Sequence, residues 1–84
     1  MVEGTLEAET IRVLENVEAV LNAASMGFEK VVRCEVFMTD INDYGEVNEV
    51  YARYFNEQPP ARQAVEVSAL PRNARVEISC IAIR

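Results

Sequence analysis

The sequence predicts an α+β fold of two layers, with two helices covering one face of a sheet. Apolar residues recur at helical spacing in two segments, 5–26 and 43–55, and alternate in three others. The order is α-β-α-β-β, so the first two strands can pair in parallel through a right-handed crossover. A length of 84 residues suffices for one domain, 1–84, whose thin core the helices and sheet must share.

From Thr5 to Met26 the apolar stripe runs through Val13, Leu14, Val17, Val20, Leu21 and Ala24, with Thr10 below it. Thr5 is the expected N-cap, and Glu7 and Glu9 suit a helix N-terminus. Gly27 stands where a left-handed C-terminal cap is expected. "KVVRCEVFMTD" then alternates and predicts a strand over 30–39, with Val32, Cys34, Val36 and Met38 on one face and Val31, Arg33, Glu35 and Phe37 on the other. Helical spacing returns through Tyr44, Val47, Tyr51, Tyr54 and Phe55, with Asp43 and Glu46 in capping-box form. Pro59 and Pro60 are expected to end this helix. Strands over 62–68 and 75–83, joined by the turn-forming "ALPRNA", read as a hairpin.

Composition narrows the function. Half the residues are hydrophobic and 26% are charged, an ordinary globular balance. The net charge is −6 with no basic run, which argues against nucleic acid as a primary partner; Arg72 and Arg75 read as solvated turn charges. There is no histidine, so a Ser–His or Cys–His nucleophile is excluded. The two cysteines, Cys34 and Cys80, lie in apolar strands where a thiol acts as a small hydrophobe; a disulfide is open, and two cysteines do not make a zinc site. With neither a signal peptide nor a membrane-length apolar run in the sequence, a cytoplasmic location without membrane contact is the expectation.

Charges also appear within the strands. If the helices cover Val32, Cys34, Val36, Val65, Val67, Val76, Ile78 and Cys80, alternation sends Arg62, Ala64, Glu66, Glu77, Ser79, Ile81, Ile83 and Phe37 to the other face. That face is either solvated or a subunit interface with polar pockets at its rim, and Ile81, Ile83 and Phe37 favour the interface.

"LENVEAVLNAASMGFEKVVRCEVFMTDINDY", "VNEVYARYF" and "PPARQAVEVSALPRNARVEISCIAIR" resemble successive parts of the RidA (YjgF-type) family, from about Gly4 onward. The most specific pieces are P-A-R before a strand and L-P followed by V-E-I in the last one. The resemblance implies a chorismate-mutase-like α+β fold, a homo-oligomer that is commonly a trimer, and active sites in clefts between subunits. It also implies hydrolysis of reactive 2-imino acids to 2-oxo acids and ammonia without metal or organic cofactor; other members have been assigned endoribonuclease or translation-inhibitor activity. By the same resemblance Arg62 binds the substrate carboxylate, to which a guanidinium offers paired donors. Glu77 orients or deprotonates the attacking water, being ionised at neutral pH. Asn48 matches a family asparagine on the second helix and is expected to support the pocket by hydrogen bonding.

Simpler roles stand beside these. Arg62 can begin an edge strand and pair with Glu66, Glu77 can be a solvated strand residue, and Glu66 is assigned no site role. Tyr44, Tyr51 and Tyr54 read as packing aromatics, which their spacing already explains. The family's N-terminal β-hairpin, with a G-P-Y-like tyrosine and an S-G-Q-like serine, has no counterpart here, and Ala64 stands where several members carry cysteine. An open sheet edge is therefore expected to be covered by another copy, or the assembly to differ from a trimer. The readings are a RidA-like deaminase acting on small 2-imino acids, a non-catalytic relative that binds small acids, and, disfavoured by charge, a nuclease.

Overall fold

Thr5 opens the first helix by accepting a hydrogen bond on its hydroxyl from the Ala8 amide, 3.1 Å away. The computed structural model describes residues 4–55 and 60–83. They form α1 (Leu6–Ala23), β1 (Val31–Met38), α2 (Tyr44–Tyr54), β2 (Ala61–Glu66) and β3 (Val76–Ala82), with 3-10 turns before β1, α2 and β3. The helices lie on one face of a three-stranded mixed sheet, the predicted α+β two-layer arrangement. Of the two prolines expected to end the second helix, Pro59 lies outside the described residues. Among the described residues no helix is long and apolar enough to cross a membrane.

The cap of α1 differs from expectation. Ser25, at φ 61°, takes the left-handed position assigned to Gly27. The Met26 amide donates to the Leu21 carbonyl at 2.8 Å and the Ser25 amide to that of Asn22 at 3.0 Å, a Schellman closure with Met26 packed against the core. A Cβ in this region is strained, so Ser25→Gly is expected to stabilise the fold by about 0.5–1 kcal/mol, read as a rise in denaturation midpoint at unchanged slope. At α2 the side-chain cap sits earlier than the expected Asp43–Glu46 box. The Asp40 carboxylate accepts from the Asn42 amide at 2.9 Å, and Asp43 makes no side-chain cap bond.

The strand order is β2-β1-β3. Strand β1 pairs in parallel with β2, the pairing that the β-α-β order allowed, and antiparallel with β3. The last two strands are thus not a hairpin, because β1 lies between them. Residues paired across a ladder share a face, and this fixes the sides. Cys34, Val36 and Met38 lie level with Arg62, Ala64 and Glu66 on β2, and with Cys80, Ile78 and Val76 on β3. This is the helix-covered face, so Arg62, Ala64 and Glu66 lie on the side opposite to that expected, and Val65, level with Phe37, lies on the open one. Glu77, Ser79 and Ile81 do occupy the open face. A register irregularity between Val31 and Arg33 also turns Val31 inward and leaves Val32 exposed.

The core joins Leu6, Leu14 and Leu21 of α1, Val47, Val50 and Tyr51 of α2, and the covered sheet face. Val20, expected within the stripe, is exposed. Among the described residues two polar side chains, Thr10 and Glu9, are buried with this core. Thr10 donates its hydroxyl to the Leu6 carbonyl at 2.8 Å. Glu9 receives the Arg75 guanidinium at 2.7 Å and the Arg75 backbone amide at 2.6 Å, so α1 is pinned to the start of β3.

Candidate active site

Strand β2 lies at the edge of the sheet, and Arg62, near its start, is carried beyond the apolar core to the flank of α2. Tyr44, Asn48 and Tyr51 project there from one helical face, at i, i+4 and i+7. The guanidinium donates to Asn48 Oδ1 through Nη1 and to the Tyr44 hydroxyl through Nη2 at 2.9 Å. It also stacks over the Tyr51 ring, 4.7 Å from the centroid, where the ring's negative face attracts a cation. Three side chains of one helix thus fix the direction of the guanidinium while it stays exposed to solvent.

Beside Arg62 opens a cavity of about 430 Å³ lined by Asn48, Tyr51, Ala52, Phe55, Pro60 and Arg62. Its apolar wall belongs to an aromatic cluster in which Tyr51 stacks on Phe55 at 4.6 Å, and Phe28 meets Phe55 and Tyr54 edge-on. A fixed cation beside an apolar wall suits a small organic anion with a hydrophobic substituent. The Tyr51 hydroxyl is buried and has no hydrogen-bond partner among the described residues; burial pushes its pKa up.

The expected site residues therefore divide. Arg62 and Asn48 are in contact. Glu77 is not with them: it stands on β3, at the other edge of the sheet, level with Phe37 on the open face. Two strand spacings and a three-residue offset along β1 separate the two positions, each about 10 Å, and the side chains leave opposite faces. One small ligand cannot touch both within a chain. The pairing of Arg62 with Glu66 does not occur either; Glu66 accepts instead from the Ile41 amide at 2.7 Å. Tyr54 packs as expected, whereas Tyr44 and Tyr51 also hold Arg62, roles for which the i, i+4, i+7 spacing of Tyr44, Asn48 and Tyr51 is the signal in the sequence.

Comparison with known proteins agrees with this architecture. The chain matches the family described as Endoribonuclease L-PSP over residues 1–84. It is 54% identical over 83 residues to Protein DfrA of Myxococcus xanthus, covering 99% of this chain and 63% of that one. It is 44% identical over 84 residues to the 2-iminobutanoate/2-iminopropanoate deaminase of Mus musculus, covering 100% and 62%. The crystal structure of E. coli TdcF with bound serine superposes with a TM-score of 0.95 at 34% identity, covering 100% of this chain and 68% of that one. The chain thus spans about two thirds of the length of the relatives it matches. By the family match over residues 1–84 and by fold, it belongs to the RidA (YjgF-type), or endoribonuclease L-PSP, family.

Proposed function

We propose that this protein hydrolyses reactive 2-imino or enamino acids to 2-oxo acids and ammonia, at sites shared between copies of the chain. The observation that carries the reading is the Arg62 guanidinium, held by Asn48 and Tyr44 over the Tyr51 ring at the mouth of a cavity of about 430 Å³. Its exposed donors suit a carboxylate, and the wall of Tyr51, Ala52, Phe55 and Pro60 suits the side chain of an amino-acid-derived substrate. Deaminases among the relatives support the substrate class.

Glu77 then acts from a neighbouring copy, because its own Arg62 lies beyond reach on the opposite face. Its carboxylate takes a proton from a water molecule as the oxygen attacks the imine carbon, giving a carbinolamine. The carboxylic acid so formed returns that proton to the nitrogen, the hydroxyl proton follows as the carbonyl forms, the C–N bond breaks, and ammonia leaves behind a 2-oxo acid. The step consumes one water and calls for no metal or organic cofactor. An open sheet face bearing Phe37, Val65, Ile81 and Ile83 supports a homo-oligomer, with a trimer favoured.

A semicarbazide-competition assay tests the activity. An amino-acid oxidase generates 2-iminopropanoate or 2-iminobutanoate, and the protein is expected to accelerate imine loss and so reduce the semicarbazone formed. The same semicarbazone yield with and without protein would overturn the deaminase reading. A second reading, a non-catalytic oligomer that binds small acids, is favoured by one observation: among the described residues, no carboxylate lines the cavity beside Arg62. Binding of a 2-oxo acid without acceleration is its signature. Nuclease action is disfavoured by the net charge of −6.

A further inference from the structure

Cys34 and Cys80 stand directly opposite each other on β1 and β3, with their Sγ atoms 2.6 Å apart. Both are free thiols. Directly opposed residues of antiparallel strands have Cα atoms about 4.5–5.5 Å apart, inside the roughly 4.4–6.8 Å that a disulfide spans. Joining the sulfurs therefore asks no movement of either strand. The pair also has an approach from solvent. Cys34 is buried, but Cys80 is only partly so and lines a groove of about 420 Å³ between α1 and β3, together with Val13, Val17 and Ile78. We propose that Cys34 and Cys80 are a redox-active dithiol, which a peroxide entering this groove converts to a reversible disulfide within the chain.

The environment of the sulfurs suits the chemistry. The Cys34 pKa is lowered to about 7, first by the hydrogen bond from the Cys80 thiol; burial opposes this, while the Arg62 charge assists it. These contacts come from β3 and β2 respectively. Cys80 is pushed up by the same bond and by burial, so the pair carries one shared proton near neutrality. Cys80, the sulfur that reaches the groove, gives its proton to the Cys34 thiolate beside it as it attacks the peroxide. The O–O bond breaks, one oxygen stays on Cys80 as a sulfenic acid, and the other leaves as water after taking up a proton. The Cys34 sulfur, losing its proton, then displaces the sulfenic hydroxyl, which leaves as a second water. Two thiols lose two electrons, and one peroxide becomes two waters. The bridge closes a span of 46 residues and ties the central strand to an edge strand; closing a span of this size restricts the unfolded chain strongly.

Exposure of the whole chain to hydrogen peroxide near neutral pH, followed by intact-mass measurement, tests the proposal. The expected product is a monomeric chain lighter by about 2 Da, melting roughly 10 °C or more above the reduced form, with dithiothreitol reversing both changes. Peptide mapping without reductant is expected to find the Cys34 and Cys80 peptides joined, a readout that needs no variant. Cys80→Ala, small enough for its place on the edge strand, is expected to remove the mass loss. An unchanged mass, oxygen added to either cysteine without a bridge, or a bridge between chains would each overturn the proposal.

Discussion

Replacing Glu9 by alanine is expected to cost about 3 kcal/mol of stability. The carboxylate is buried and faces donors on both oxygens. Arg75 Nε lies 2.7 Å from Oε1, while the Arg75 amide lies 2.6 Å and the Val76 amide 3.4 Å from Oε2. Truncation strands two backbone donors at the start of β3 and cuts the link between α1 and that strand. The Arg75 side chain is partly exposed and can rehydrate, which keeps the cost at the lower end for a broken buried pair. Glu9→Gln preserves the shape yet presents one acceptor and one donor where two acceptors are required. Its expected cost is about 2 kcal/mol, or roughly 8–16 °C in Tm for a domain of this size. Chemical denaturation checks both values, and a Glu9→Gln protein within about 0.5 kcal/mol of the parent would contradict the role given to the carboxylate.

Glu77→Gln is expected to lower kcat by about 10²–10⁴-fold, the usual worth of a positioned general base. Its side chain stands on the open face of the sheet, so the fold and the binding of a 2-oxo acid should be preserved. Arg62→Ala is expected to lower kcat/KM by about 10–100-fold, mostly through KM, because the lost contact is with a carboxylate present in substrate and transition state alike. Arg62→Lys should recover little, since an ammonium lacks the planar fork and the stacking surface that Tyr51 meets. Steady-state kinetics with circular dichroism as a folding control separates these effects. Parental activity in both Glu77→Gln and Arg62→Ala would assign the two residues to structure.

Much of the fold was readable from periodicity, because α1, β1 and α2 each present one pattern that only one element satisfies. The faces of β2 were not. Both of its sides mix small, charged and apolar residues, so alternation has no preferred phase, and the valines suggested the wrong one. Pairing with β1 decides it, placing Ala64 level with Val36 beneath the helices and Val65 level with Phe37 on the open face. The hairpin reading failed for a related reason: β2 and β3 are consecutive in sequence, but β1 separates them in the sheet. Left-handed Ser25 was hidden by Gly27, the residue that ordinarily takes that conformation. In the site, the resemblance pointed to Arg62, Asn48 and Glu77, and spacing held Tyr44 and Tyr51 on the Asn48 face. Neither source could show Glu9 as buried, since an acidic residue near a helix N-terminus already has an adequate explanation in the helix dipole.

That Arg62 and Glu77 serve one cleft only from different chains is open to a complementation experiment. Arg62→Ala and Glu77→Gln proteins, each impaired alone, are unfolded together at equal concentration, refolded, and assayed for imine hydrolysis. In a cyclic assembly roughly a quarter of the sites then join an intact Arg62 from one copy to an intact Glu77 from the next, and about that fraction of parental activity should return. If co-assembly of the two variants is verified by differential tagging and the mixture stays no more active than the average of its components, the shared site is contradicted.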